Sequence, residues 1–371
     1  MLKFISISIS ILLLSMLTSH AKVPGDSLLN TTKKDSTKLK VGVFPSAFYS
    51  PETRLGFGGF VYSYFNTSKS NLFDRKSNTQ SYLSYTINKQ FAFENDYQIW
   101  LKNNKFYLTG GLDYSRFPEF FYGISNDTKE SDKMLVSFHI IKILSKNLVK
   151  LEKYLYGGIV FQYQRLYKLD TKLKAPMSLV CEVIAGGDGY NALGIGPILI
   201  YDKRDNSLNP AKGSYIETSF QYFDKSIGGQ YKFTSFILDV RKFNTLFKKL
   251  IWNGNAYFFI NKGEVPYRML PTIGGARFLR GYYRGRFRDN NMIIMQQEFR
   301  MPVYKWFGLA IFGGIGSVAK EVSDFQKNEI HKNYGVGLRI RINKMENTNL
   351  RLDYGITKDS QGLYLVFAEA F

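Results

Sequence analysis

Imidazole and thiol are almost missing from this chain: 371 residues carry three His and one Cys. A lone Cys181 permits no internal disulfide and no thiolate metal set, and it lies too far from the N-terminus to be a lipid-bearing cysteine at a cleavage site. Acid is scarce against base, with 30 Asp plus Glu facing 50 Lys plus Arg for a formal net charge of +20. Beyond residue 21 there is no apolar run of about 18 residues, so no membrane helix is encoded there. The mean hydropathy of −0.20 is also too polar for a bundle of membrane helices. What the chain does have is 31 Phe and 26 Tyr, and aromatics at 16% with hydrophobics at 44% exclude a disordered chain.

The N-terminus reads MLKFISISISILLLSMLTSHA. Lys3 supplies a positive start, residues 4–17 an apolar middle, and Ser19-His20-Ala21 a small-x-small site, so residues 1–21 are expected to be an export signal. Residues 22–38 are polar, lack an apolar period and are expected to form a short periplasmic lead. From 39 to 371 no linker marks a second domain. Segments of about 9 to 13 residues alternate apolar with polar or small residues between Gly, Asn, Asp, Lys and Pro turns.

In YIETSFQYF, Ile216, Thr218, Phe220 and Tyr222 fall opposite Glu217, Ser219 and Gln221. In GLRIRIN, Leu338, Ile340 and Ile342 oppose Arg339 and Arg341, and in LRLDYGIT, Leu350, Leu352, Tyr354 and Ile356 oppose Arg351, Asp353 and Gly355. A soluble sandwich also alternates, but a chain this long would divide into several domains. A membrane barrel turns apolar residues to lipid, polar ones to the lumen and aromatics to both interfaces. Uniform texture, an export signal and abundant Tyr and Phe favour the barrel.

Strands are predicted near 39–49, 54–66, 79–88, 91–102, 106–117, 134–145, 154–167, 191–202, 213–224, 230–244, 250–262, 289–303, 307–319, 332–343, 348–357 and 362–371. The predicted fold is all-β, a transmembrane antiparallel β-barrel of about 16 strands, an even number as outer-membrane barrels require. With the first strand starting in the periplasm, the longest connections, 118–133, 168–190, 263–288 and 320–331, are all expected on the extracellular side. In the closing segment GLYLVFAEAF, Leu363, Leu365, Phe367 and Phe371 share one face, a C-terminal barrel signal from which Glu369 departs.

Two segments go beyond architecture. GIGPILIYDKRDNSLNPAKGSYIETSF carries a polar turn with Asp202, Arg204, Asp205, Pro210 and Gly213, residue types any hairpin turn uses. PTIGGARFLRGYYRGRFRDNNMIIMQQEFRMPVY is a long Gly- and Arg-rich excursion containing Leu279, Arg280, Gly281 and Tyr282. In this order and spacing they resemble the bacterial surface antigen barrels of the BamA/TamA superfamily. The first resembles that family's periplasmic turn after the eighth strand. The second resembles its Val-Arg-Gly-Phe/Tyr motif at the tip of the sixth outer loop, which in the family folds back into the lumen. The resemblance extends over about residues 39 to 371.

An Arg inside a lumen needs carboxylate partners, because an unpaired buried guanidinium is costly. Glu298, on one face with Gln296 and Arg300, and Asp353, inward on the fifteenth strand, are the candidate partners of Arg280. The family's Phe-x-Asp-x-Gly segment of the thirteenth strand is matched by Phe312-Gly313-Gly314-Ile315-Gly316, with Gly314 at the Asp position. Either another acid substitutes or the loop lock is weaker. Residues 22–38 are too few for a POTRA domain, so the expectation is a member lacking them. No Gly-x-Ser-x-Gly segment points to a fused lipase.

The resemblance implies an outer-membrane protein acting in protein or lipid assembly or translocation through a lateral seam, its first and last strands weakly paired. Pro45 in the first strand removes a ladder donor and fits such an edge. The alternative is a closed pore or structural barrel forming the membrane part of a larger assembly. The expected partners are outer-membrane lipid and lipopolysaccharide phosphates, client outer-membrane proteins and a separate periplasmic protein, with no nucleic acid, cofactor or metal. No enzyme is expected: His139 in LVSFHII reads as a lumen or interface residue, and His331, near Asp324 and Glu329, as a residue of a solvated outer loop. The Gly pairs in GFGGF, GIGP and GVGL lack the strand-loop-helix setting that phosphate binding needs.

Overall fold

A computed structural model describes residues 39–50, 54–67, 75–170, 184–247, 249–343 and 348–371. Cys181, the expected export signal and the expected lead lie outside the described residues. The strands are β1 (Lys40–Ser50), β2 (Arg54–Phe65), β3 (Ser77–Thr86), β4 (Phe91–Leu101), β5 (Phe106–Phe121), β6 (Met134–Glu152), β7 (Leu155–Asp170), β8 (Tyr190–Asp202) and β9 (Gly213–Phe223). They continue as β10 (Phe233–Leu246), β11 (Leu250–Gly263), β12 (Thr272–Ile273), β13 (Phe287–Arg288), β14 (Asn291–Tyr304), β15 (Phe307–Ala319), β16 (His331–Asn343), β17 (Thr348–Thr357) and β18 (Gln361–Phe367). All but β12 and β13 form one 16-stranded antiparallel sheet in chain order.

Alternation inverts the usual inside and outside. On β9 the row Glu217, Ser219 and Gln221 is buried at 7% or less, while Ile216, Phe220 and Tyr222 are 37% to 46% exposed. On β16 and β17 Arg339, Arg351 and Asp353 are buried, while Val336, Leu338 and Tyr354 are exposed. An apolar outer face this continuous is a lipid-facing surface.

The sixteen predicted strands match the sheet, with three differences. Strands β5 and β6 are longer than the sequence pattern suggested, because their pairing holds register from Phe106↔Val149 up to Phe121↔Met134. The excursion after β11 contains a two-residue ladder between β12 and β13 too short to leave a periodic signal. The last strand ends at Phe367 rather than Phe371: Ala368 takes φ 65°, its N–H bonds to Asn349 O, and Glu369 N–H bonds to Leu208 O. The tail therefore leaves the sheet and crosses the barrel base.

Among the described residues no ladder joins β1 to β18. The two ends of the sheet meet instead through side chains, Phe367 lying 4.8 Å from Phe60 and 4.6 Å from Tyr62 between ring centroids. Tyr62 is buried on the inner face of β2, so Phe367 packs inward rather than closing the outer face.

Candidate functional site

The long loop between β11 and β14, residues 264–290, leaves β11 and turns against the inner faces of β14 to β17. Its tip is accommodated by glycine. At Gly355 a Cβ would lie 2.4 Å from Arg280 O, so the loop backbone rests on the bare backbone of β17. Gly281, at φ 120°, supplies the matching bare surface from the loop. The tip's peptide groups are satisfied there: Asn333 Nδ2 donates to Arg280 O at 2.8 Å, Ser360 Oγ donates to Gly281 O at 2.9 Å, and Gly281 N–H donates to Tyr364 Oη at 3.0 Å. Tyr364 Oη in turn donates to Tyr282 O at 3.1 Å.

The Arg280 guanidinium, 1% exposed, lies 2.5 Å from Asp353 Oδ2 and 2.8 Å from Glu298 Oε2. The second contact is a charge contact outside hydrogen-bonding alignment. Its face covers the Phe312 ring at 3.4 Å, a cation–π stack. Arg339 holds the other oxygens of both acids, at 2.6 Å from Asp353 Oδ1 and 3.0 Å from Glu298 Oε1, and reaches Glu369 at 2.7 Å. Arg351 pairs with Asp353 and donates to Ala276 O of the loop at 2.9 Å. Arg300 lies 3.4 Å from Glu369. Four arginines thus converge on three carboxylates in a water-poor site, where removing one partner strands another buried charge.

The turn between β8 and β9 is built by the same kind of pairing. Arg204 donates to both Asp202 oxygens at 3.0 Å, and Arg75 joins the same acid at 2.6 Å. Asp205 Oδ1 accepts from the N–H groups of Ala211 and Lys212 at 2.9 and 3.2 Å, closing the turn on itself. Gly213 is required where it stands: φ is 111°, and a Cβ would lie 2.2 Å from Lys203 O. Pro210 accepts through its carbonyl from Arg300, and Asn209 Oδ1 accepts from Arg300 at 2.5 Å. Arg300 therefore ties the β8–β9 turn to the charge cluster at the loop tip.

Leu279, fully buried at φ 47°, occupies the space beside Gly314. A Cβ there would lie 2.9 Å from Leu279 Cδ2 and 2.8 Å from Gln296 Cβ. Of the residues singled out in the sequence, Arg280, Glu298 and Asp353 come together, Tyr282 packs edge-on to Phe287 and His331, and Phe371 is buried at the base. Sequence reasoning did not assign Arg300, Arg339, Arg351 or Glu369 to the cluster. The inward phase of β14, β16 and β17 was the signal for the arginines, and the break in apolar alternation at Glu369 was the signal for the fourth residue.

The solvated setting expected of His331 is overturned. It opens β16, is 7% exposed, stacks on Phe287 at 3.7 Å and places Nε2 3.0 Å from Asn126 Oδ1. Asn126 belongs to the loop after β5, and its Oδ1 also accepts from Val318 N–H of β15 at 3.1 Å. Among the described residues no cluster of His, Cys, Asp or Glu could hold a metal ion.

A sheet of sixteen strands in chain order, a sixth loop tucked inward on an Arg, and a paired Asp-Arg turn after β8 form a specific combination. The sequence profile of the Omp85 superfamily domain matches residues 27–367. The chain belongs to the Omp85 superfamily. Omp85 proteins are outer-membrane β-barrels of an insertase and translocator family, and that is the location of this sheet. No curated protein matches the sequence.

Among solved structures the Omp85 fold recurs in BamA from Haemophilus ducreyi lacking POTRA domains 1–3, at 12% identity and TM-score 0.54, covering 90% of this chain and 70% of that one. It recurs in CdiB from Escherichia coli at 9% identity and TM-score 0.57, covering 89% and 60%. CdiB from Acinetobacter baumannii matches at 12% identity and TM-score 0.53, covering 87% and 56%. The chain thus spans little more than half the length of the CdiB chains, and at these identities the likeness is one of fold.

Proposed function

We propose that this Omp85 barrel acts in outer-membrane protein or lipid assembly or translocation through a lateral seam between β1 and β18. The observation that carries the reading is that, among the described residues, no ladder joins β1 to β18. An unpaired edge offers free N–H and C=O groups to a client strand. The seven-residue length of β18 supports the same reading, as does the tail that turns away from the sheet, because both leave little backbone to pair with β1. The reading assigns the barrel no catalysis; its partners are a client polypeptide or lipid and a separate periplasmic protein.

A second reading, a closed pore or structural barrel in a larger assembly, is favoured by the packing of loop, turn and tail about one charge cluster. The experiment is the folding rate of urea-unfolded outer-membrane proteins into liposomes with and without the purified barrel. The expected result is acceleration that Arg280→Ala reduces. No acceleration, with ion conductance across the same liposomes, moves the protein to the pore class.

A further inference from the structure

Above its apolar band, the outer wall formed by β5, β6 and β7 changes character. In register across these strands stand the rows Leu112–Ile143–Tyr163, then Tyr114–Ile141–Arg165, then Arg116–His139–Tyr167. Directly opposed residues in such rows lie with their Cβ atoms about 4.5–5.5 Å apart, so greasy side chains give way within two rows to bases and aromatic rings. Arg116, Arg165 and Lys168 are exposed. Tyr114 Oη is 3.0 Å from His139 Nδ1, and the Arg165 guanidinium lies 5.2 Å from the Tyr167 ring.

The charges are sorted by face. Glu119, higher on β5, is turned inward onto Arg268 at 2.6 Å and Arg288 at 3.5 Å. Among the described side chains no carboxylate pairs with Arg116, Arg165 or Lys168 on the outside. The β3–β4 hairpin ends level with Arg116, which pairs with Phe91, while β5 and β6 continue to Phe121 and Met134. The step leaves a groove of about 480 Å³ lined by Gln90, Arg116, Leu135, His139 and Lys168 among others.

We propose that this groove binds the phosphate of an outer-leaflet lipid. Arg116 and Lys168, which line the groove, and Arg165, which stands beside it one row lower on β7, are the anion-binding cations, Tyr114 and Tyr167 lie at the headgroup level, and Leu112, Ile141 and Ile143 take the acyl chains. A guanidinium pair suits a phosphate monoester, to which it donates charge-assisted hydrogen bonds, and aromatic rings settle at the membrane interface. The wall faces lipid and lies on the rim that bears the long loops, so a membrane lipid is the occupant rather than a solute. The inference rests on the barrel's place in the outer membrane and is independent of whether the seam opens.

The test uses the full barrel in dodecylmaltoside, titrated with phosphorylated lipid A and with the same lipid after phosphatase treatment, bound lipid being counted by native mass spectrometry. The phosphorylated form is expected to bind about tenfold tighter. The double substitution Arg116→Gln with Arg165→Gln should abolish that preference without changing the melting temperature. Equal affinity of the two lipids for the unmodified barrel overturns the site, and that comparison needs no variant to fold. So does a preference that survives the double substitution. Full competition by millimolar inorganic phosphate also overturns it, by showing a small-anion site rather than a lipid site.

Discussion

Arg280 at the tip of the sixth loop and Asp353 on β17 stand 2.5 Å apart with 1% and 0% of their side chains exposed. The contact joins residues 73 positions apart, and it is shared: Arg339 and Arg351 hold the same carboxylate. Replacing Arg280 by Ala removes one cation from Asp353 and Glu298 and the stack on Phe312, and leaves the loop tip held through its backbone by Asn333, Ser360 and Tyr364. Breaking a buried pair from one side costs about 3–5 kcal/mol. The variant is expected to melt at lower temperature and to be cut by protease within residues 264–290. An unchanged melting profile with an unchanged cleavage pattern would sink the idea of a loop lock.

The family resemblance invites the opposite kind of change, an acid restored at Gly314. The geometry argues against it, since a Cβ there would meet Gln296 at 2.8 Å and Leu279 at 2.9 Å. Gly314→Asp should therefore destabilise the barrel, by about 1–3 kcal/mol for overpacking a filled site. Leu279→Ala in the same chain should recover part of the loss, so that the double variant is more stable than the sum of the singles predicts. Additive losses in a denaturation series would show that Leu279 is not what excludes the acid.

Much of the barrel was legible because a two-residue period survives in each strand regardless of what the far side does. Ile216, Phe220 and Tyr222 against Glu217 and Gln221 point to the two faces without any tertiary information. The periodicity also placed Glu298 and Asp353 inward. It could not say that Arg339, inward on β16, reaches the same two acids, because the curvature of the sheet decides which inward residues meet. Glu369 was the least legible residue: alternation marked it as a misplaced charge on a greasy strand. The chain has left the strand by then, and the carboxylate pairs with Arg339 and Arg300.

That tail makes its own prediction. The Glu369 side chain is 1% exposed and accepts from Arg339 and from Asn349 Nδ2 at 2.8 Å. Glu369→Gln keeps the shape and removes the charge, leaving Arg300 and Arg339 with one carboxylate fewer. Faster amide exchange is expected over residues 348–371 and at the Asn209–Pro210 turn held by Arg300, with the β5–β7 wall unchanged. Exchange confined to the tail itself would show that Arg300 holds the turn without help from Glu369.

The seam offers the sharpest separation between an opening barrel and a closed one. Phe367 touches Phe60 and Tyr62 across the gap between the sheet's two ends, and no ladder between β1 and β18 backs it up among the described residues. Such ring pairs contribute about 0.5–1.5 kcal/mol beyond the area they bury, enough to shift an open–closed balance several-fold. If the seam works as proposed, Phe367→Ala should favour the open form, increasing cross-linking of a cysteine placed in β1 to client strands and altering the folding rate those clients show in liposomes. If the barrel is a closed pore, the same variant should lower the melting temperature slightly and leave both client readouts where they were. Measuring stability and client cross-linking on one preparation separates the two outcomes, because packing loss alone moves only the first.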